Sequence, residues 1–134
     1  MDAAAASTEI YILGWSAVLL LVQIVLQSGT AGDLGMAYLA GARDEQRQTR
    51  NPLSRRLDRA LRNFLESYPA FVALVLALAV TGKTGGLGAT GAWIYILARV
   101  AYVPIYAAGI AYVRTIVWLA SIVGFVLMIL RLMA

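Results

Sequence analysis

The sequence predicts an all-α fold, a transmembrane four-helix bundle that forms a single domain over residues 1–134. Three observations predict it. Of the 134 residues, 61% are hydrophobic and only 13% are charged, whereas an ordinary globular chain carries roughly 45–50% apolar and about 25% charged residues. A soluble domain this small could not hide so much apolar surface, so lipid is the expected solvent. The apolar residues also gather in four runs, each near the ~20 residues (lower limit ~17) that a helix needs to cross about 30 Å of hydrocarbon. Finally, the runs are continuous rather than alternating, and Ala and Leu dominate them, which argues against membrane strands.

The first run, residues 10–32, contains no charged residue and is most apolar over 10–26. Residues 64–80 carry Glu66 as their only charge, residues 92–108 carry only Arg99, and residues 115–130 carry none. With flanking residues added, the spans are expected at about 9–28, 54–81, 89–108 and 111–132. Asp2 and Glu9 stand where a secretory signal would have a basic region, so the first span is expected to stay as an anchor.

Between the first two spans lies the one long polar stretch, residues 33–62. It holds Arg43, Arg47, Arg50, Arg55, Arg56, Arg59 and Arg62 against Asp33, Asp44, Glu45 and Asp58. Basic residues favour the cytoplasmic side. That rule places this loop and the Arg114 end inside, with both termini outside. The plain account of Arg43–Arg56 is orientation and phosphate-headgroup contact. Residues 81–91 add only Lys83, and the glycines at 82, 85, 86, 88 and 91 predict a turn. Gly82-Lys83-Thr84-Gly85-Gly86 has neither the spacing nor the preceding strand of a phosphate loop.

Cysteine and histidine are both absent. Disulfides, thiolate metal sites, imidazole acid–base catalysis and a cysteine nucleophile are therefore excluded, and no metal is expected. Nothing marks the chain for nucleic acid. Chemistry must come from Arg, Tyr, Asp, Glu, hydroxyls, or a reactive group carried by a ligand.

Ionisable residues at membrane depth are costly and point to a pathway or a ligand site. On the second span Arg59, Arg62, Asn63 and Glu66 follow i, i+3, i+4, i+7 spacing and share one helix face. With 1.5 Å rise per residue, Glu66 lies roughly 6 Å deeper than Arg62. The third span carries Arg99, Tyr102 and Tyr106 at i, i+3, i+7, and Arg114 and Thr115 open the fourth with Trp118 one turn on. Arg99 sits near the middle of its run and needs an anionic partner, for which Glu66 is the one carboxylate inside the spans. The bland reading of the two is an interhelical salt bridge. The sharper reading is a cavity in which arginines, tyrosine hydroxyls and an Asn amide hold a small carboxylate-bearing ligand through forked hydrogen bonds. Tyr11, Tyr95, Tyr112, Trp15 and Trp93 read as interfacial belt or packing residues. Pro69 and Pro104 interrupt helices.

Arg59-Ala-Leu-Arg62-Asn63-Phe-Leu-Glu66 with Tyr68-Pro69 resembles the second-helix signature of the membrane-associated proteins in eicosanoid and glutathione metabolism, the MAPEG family. Ala98-Arg99-Val100-Ala101-Tyr102-Val103-Pro104-Ile105-Tyr106 and Arg114-Thr115 resemble its third- and fourth-helix signatures, in order and over the whole chain. The resemblance implies a homotrimer with sites at subunit interfaces near the cytoplasmic side. Glutathione binds there in members such as microsomal glutathione transferases, prostaglandin E synthase and leukotriene synthase. They conjugate it to lipophilic electrophiles, reduce hydroperoxides, or isomerise with it. By position, Arg62, Asn63 and Glu66 are implied to contact the tripeptide with Arg59 close by. Arg99 and Tyr106 line the same pocket, Tyr102 and Thr115 complete the ligand-binding set, and Arg114 is implied as the catalytic residue that activates the thiol.

The chain departs from the prostaglandin synthase pattern in places. Tyr106 to Arg114 is one residue shorter, Tyr102 stands for a histidine, Trp118 stands for a tyrosine, and no arginine ends the first span. Residues 33–51, with Leu39-Ala-Gly-Ala-Arg-Asp-Glu45, look like a bacterial branch of the family, which implies a bacterial inner membrane. The expected function is a membrane-embedded glutathione-dependent transferase or peroxidase, with lipids and a small lipophilic substrate as its further partners. The alternatives are a non-catalytic trimer of the same kind and a small cation exporter. Exporters of this size need a buried acid in the first span, where residues 10–32 have none and Glu9 lies at the edge.

Overall fold

The computed structural model describes residues 7–30 and 51–134. The expectations for Arg43, Arg47, Arg50, Asp33, Asp44 and Glu45 lie outside the described residues. Four helices follow in order: α1 Thr8–Thr30, α2 Pro52–Val80, α3 Leu87–Ala107 and α4 Ala111–Met133. All four are long and apolar enough to cross a membrane, and no strand occurs among the described residues.

The start of α2 is fixed locally. The Asn51 side chain accepts a hydrogen bond from the Leu53 N–H at 3.0 Å, and Pro52 occupies the first turn, where no N–H is needed. Asn51 Nδ2 also donates to the Thr30 carbonyl at 3.0 Å, and Ser54 Oγ donates to the Gln27 carbonyl at 3.3 Å. The end of α1 is thereby tied to the start of α2 through carbonyls of its last turn.

Of the glycines expected in the α2–α3 turn, only part serve there. Gly82, Gly85 and Gly86 have positive φ, as turn residues do, but Gly88 and Gly91 lie inside α3. Their role is close approach. A Cβ on Gly91 would meet the Gly124 carbonyl oxygen at 2.5 Å, and one on Gly124 would meet the Gly91 carbonyl oxygen at 2.6 Å. This mutual absence of side chains lets the α3 and α4 backbones approach closely at this point. Pro69 and Pro104 lie within α2 and α3, which continue through them.

The core is aromatic. Phe71 and Tyr95 stack with ring centres 4.4 Å apart and Tyr95 and Phe125 at 4.9 Å, while Phe64 and Tyr68 meet tilted at 4.8 Å. Tyr hydroxyls in this low-dielectric interior need partners. Tyr95 pairs with Ser67 Oγ at 3.0 Å, and Tyr68 with Ser16 Oγ at 2.9 Å. Tyr11, Trp15, Trp93 and Tyr112 face outward instead.

At the end formed by the α1 N-terminus and the α2–α3 turn, Glu9 is fully buried rather than peripheral. Its Oε2 accepts the Gly85 N–H at 2.8 Å. Lys83 Nζ donates to the Leu132 carbonyl and Arg131 Nε to the Lys83 carbonyl, each at 2.8 Å. Three charged side chains thus fasten this turn to α1 and α4.

Candidate functional site

The opposite end of the bundle brings together the first half of α2, the last turns of α3 and the start of α4. The connection from α3 to α4 is only residues 108–110, with Gly109 at φ 76°. Arg56 Nη1 donates to the Ala107 carbonyl at 3.2 Å, and its guanidinium lies where a Gly109 Cβ would meet it at 3.2 Å. This short turn is what delivers Arg114 opposite Tyr106.

A cleft of about 370 Å³ opens here, within the roughly 300–1,000 Å³ range of small-molecule sites. Arg59, Arg62, Asn63 and Glu66 line it from α2, Tyr102 and Tyr106 from α3, and Arg114 from α4. The i, i+3, i+4, i+7 face of α2 therefore turns as one unit into the cleft. An adjoining recess of about 100 Å³ shares Asn63, Tyr102 and Arg114 and adds Thr115 and Trp118. Thr115 is reached from this recess and not from the larger cleft.

The charges are arranged around rings. The Arg114 guanidinium carbon stands 4.6 Å from the Tyr106 ring centre, and that of Arg59 stands 5.9 Å from it. Arg62 Nε pairs with Asp58 Oδ2 at 3.1 Å, one helical turn back. Both partners are solvent-accessible, so this pair contributes little (~0.2–1 kcal/mol) and leaves Arg62 able to recruit another anion. Asn63 Oδ1 is buried, and among the described residues nothing donates a hydrogen bond to it. Such an acceptor costs about 1–3 kcal/mol unless something supplies an N–H.

Arg99 is the residue the structure treats differently. It is buried to 1% exposure and lines neither cavity. The expected ion pair with Glu66 does not form, and among the described residues no acceptor lies within hydrogen-bond reach of any of its three guanidinium nitrogens. Glu66 stays exposed at the cleft while Arg99 is enclosed by the rings of Tyr102 and Phe64. The lining residues are those expected from the sequence, whereas the pairing of Asp58 with Arg62 was not expected. The i, i+4 spacing of Asp58 and Arg62 on an exposed helix face was the available signal.

A membrane bundle that gathers three arginines, one carboxylate, an amide and two tyrosines at one end defines a class of membrane-spanning protein with a polar, arginine-rich cleft. The family model described as the MAPEG family matches residues 12–134, and the chain belongs to that family. It is an integral, multi-pass membrane protein. No curated protein and no solved structure matches the chain.

Proposed function

We propose that this protein is a membrane-embedded glutathione-dependent transferase or peroxidase acting on lipophilic electrophiles or hydroperoxides. The observation that carries the reading is the set of polar groups lining the cleft of about 370 Å³. Arg59, Arg62 and Arg114 suit a ligand with more than one carboxylate, Glu66 suits an ammonium group, and the unpaired Asn63 Oδ1 suits an amide N–H. A γ-glutamyl tripeptide offers all of these. When bound, glutathione supplies the thiol nucleophile that a chain without Cys or His lacks.

The residues' own contributions follow from their charge and setting. Arg62 and Arg59 hold carboxylate by forked donation, and Glu66 orients the amine end. Arg114, held against the Tyr106 ring, presents a permanent cation that favours the ionised form of a thiol whose free pKa is ~8.5. The recess beside it, with Trp118 and Thr115 in its wall, admits the second substrate from the lipid side. A homotrimer with the arginine-rich end facing the cytoplasm completes this reading, by family resemblance and by the bias of basic residues.

The test is turnover by the detergent-purified protein. Conjugation of an aryl halide, or reduction of a lipid hydroperoxide, is expected only when glutathione is present. Glutathione binding with neither reaction across both substrate types would contradict the enzymatic reading and favour a non-catalytic member.

A further inference from the structure

Arg99 lies one turn before Tyr102 on α3, and its guanidinium carbon stands 4.4 Å from the Tyr102 ring centre and 5.5 Å from that of Phe64. A guanidinium cannot shed its proton in a protein, so burial leaves a full charge to be compensated. Among the described residues no hydrogen-bond acceptor does this. The faces of the Tyr102 and Phe64 rings stand there instead, and a cation–ring contact strengthens when it is desolvated. Tyr102 is itself only 4% exposed, yet it forms part of the wall of both the larger cleft and the recess. The array continues outward: the Tyr102 and Tyr106 rings have centres 5.4 Å apart, and Arg114 sits on Tyr106. A buried cation, two rings and a cleft cation thus form one connected array.

We propose that Arg99 is a positioning residue that fixes the Tyr102 ring as the wall between cleft and recess, and that it acts on a bound ligand only through that ring. The sequence alone made Arg99 a direct ligand. Its enclosure and its absence from both linings favour the indirect role. The ligand readout rests on the glutathione reading above, but the contact itself does not.

The experiment is a double-mutant cycle on the full-length, detergent-purified protein, read as glutathione affinity. Arg99→Met and Tyr102→Leu are each expected to weaken binding about tenfold, and the double variant also about tenfold rather than a hundredfold. Tyr102→Phe, which keeps the ring, is expected to bind within about threefold of the parent. A hundredfold loss in the double variant would show that Arg99 reaches the ligand directly, and wild-type affinity in Arg99→Met would remove its role altogether. A second measurement needs no ligand: 3-fluorotyrosine placed at position 102, observed by fluorine NMR. Its resonance is expected to move in Arg99→Met, or in Arg99→Lys should the Met variant not assemble. An unchanged resonance in whichever variant assembles overturns the proposal. If the parent protein fails to bind glutathione, the functional reading falls while the fluorine measurement still decides the contact.

Discussion

Arg114 opens α4 with its guanidinium carbon 4.6 Å from the centre of the Tyr106 ring, which belongs to the last turn of α3. The two helices are joined by three residues, so this contact is set by the turn rather than by a long-range search. It holds a cation over the cleft without neutralising it, as a carboxylate partner would. A charge kept available in this way in a partly lipid-enclosed site has more effect on a neighbouring anion than the same charge in water.

Arg114→Ala should therefore lower kcat for conjugation or peroxide reduction by a hundredfold or so while raising the glutathione Kd by less than tenfold. Steady-state kinetics beside calorimetric titration separates the two effects. Equal losses in both would make Arg114 a carboxylate ligand instead of the group acting on the thiol.

Asn63→Leu should trade function for stability. Its Oδ1 is buried and unpaired, and removing it relieves a cost of about 1–3 kcal/mol. The ligand-free variant should melt at or above the parent temperature in detergent and bind glutathione at least tenfold more weakly. A lower melting temperature with unaltered affinity would mean that the amide serves the fold.

Gly91→Ala and Gly124→Ala should each destabilise the bundle by about 1–3 kcal/mol, because the new methyl meets a facing backbone carbonyl that cannot rotate away. Gly14→Ala is the control, since nothing lies within 4 Å of a Cβ there. Unfolding of the three variants in a common detergent provides the comparison. Equal stability for all three would contradict the close α3–α4 approach.

Glu9→Ala removes the acceptor for the Gly85 N–H. It should lower stability by about 1–3 kcal/mol and leave glutathione affinity unchanged, because Glu9 and the cleft occupy opposite ends of the bundle. Loss of affinity without loss of stability would link the two ends, which the packing does not predict.

What the sequence made legible follows from how each feature is encoded. Helix number came from apolar run length, and the clustering of Arg59, Arg62, Asn63 and Glu66 came from spacing on a single helix. Both are local properties. The surroundings of Arg99 were not legible, because whether a buried cation meets a carboxylate or a ring depends on how α2 and α3 rotate against each other. Gly88 and Gly91 looked like turn residues because small residues serve turns and close helix contacts alike. Burial of Glu9 depended on the turn after α2 folding back over α1, a contact between residues 76 positions apart.

Arg59, Arg62 and Glu66 of α2 and Arg114 of α4 share one cleft with Tyr102 and Tyr106 of α3, and the proposed occupant is a thiol-bearing acid. Calorimetric titration of the detergent-purified protein with glutathione, repeated on Arg62→Ala and Glu66→Gln, tests it most directly. Saturable binding by the parent is expected, with at least a tenfold loss in each variant and the same assembly on size-exclusion chromatography. No saturable binding by the parent, or parental affinity in both variants, would contradict it.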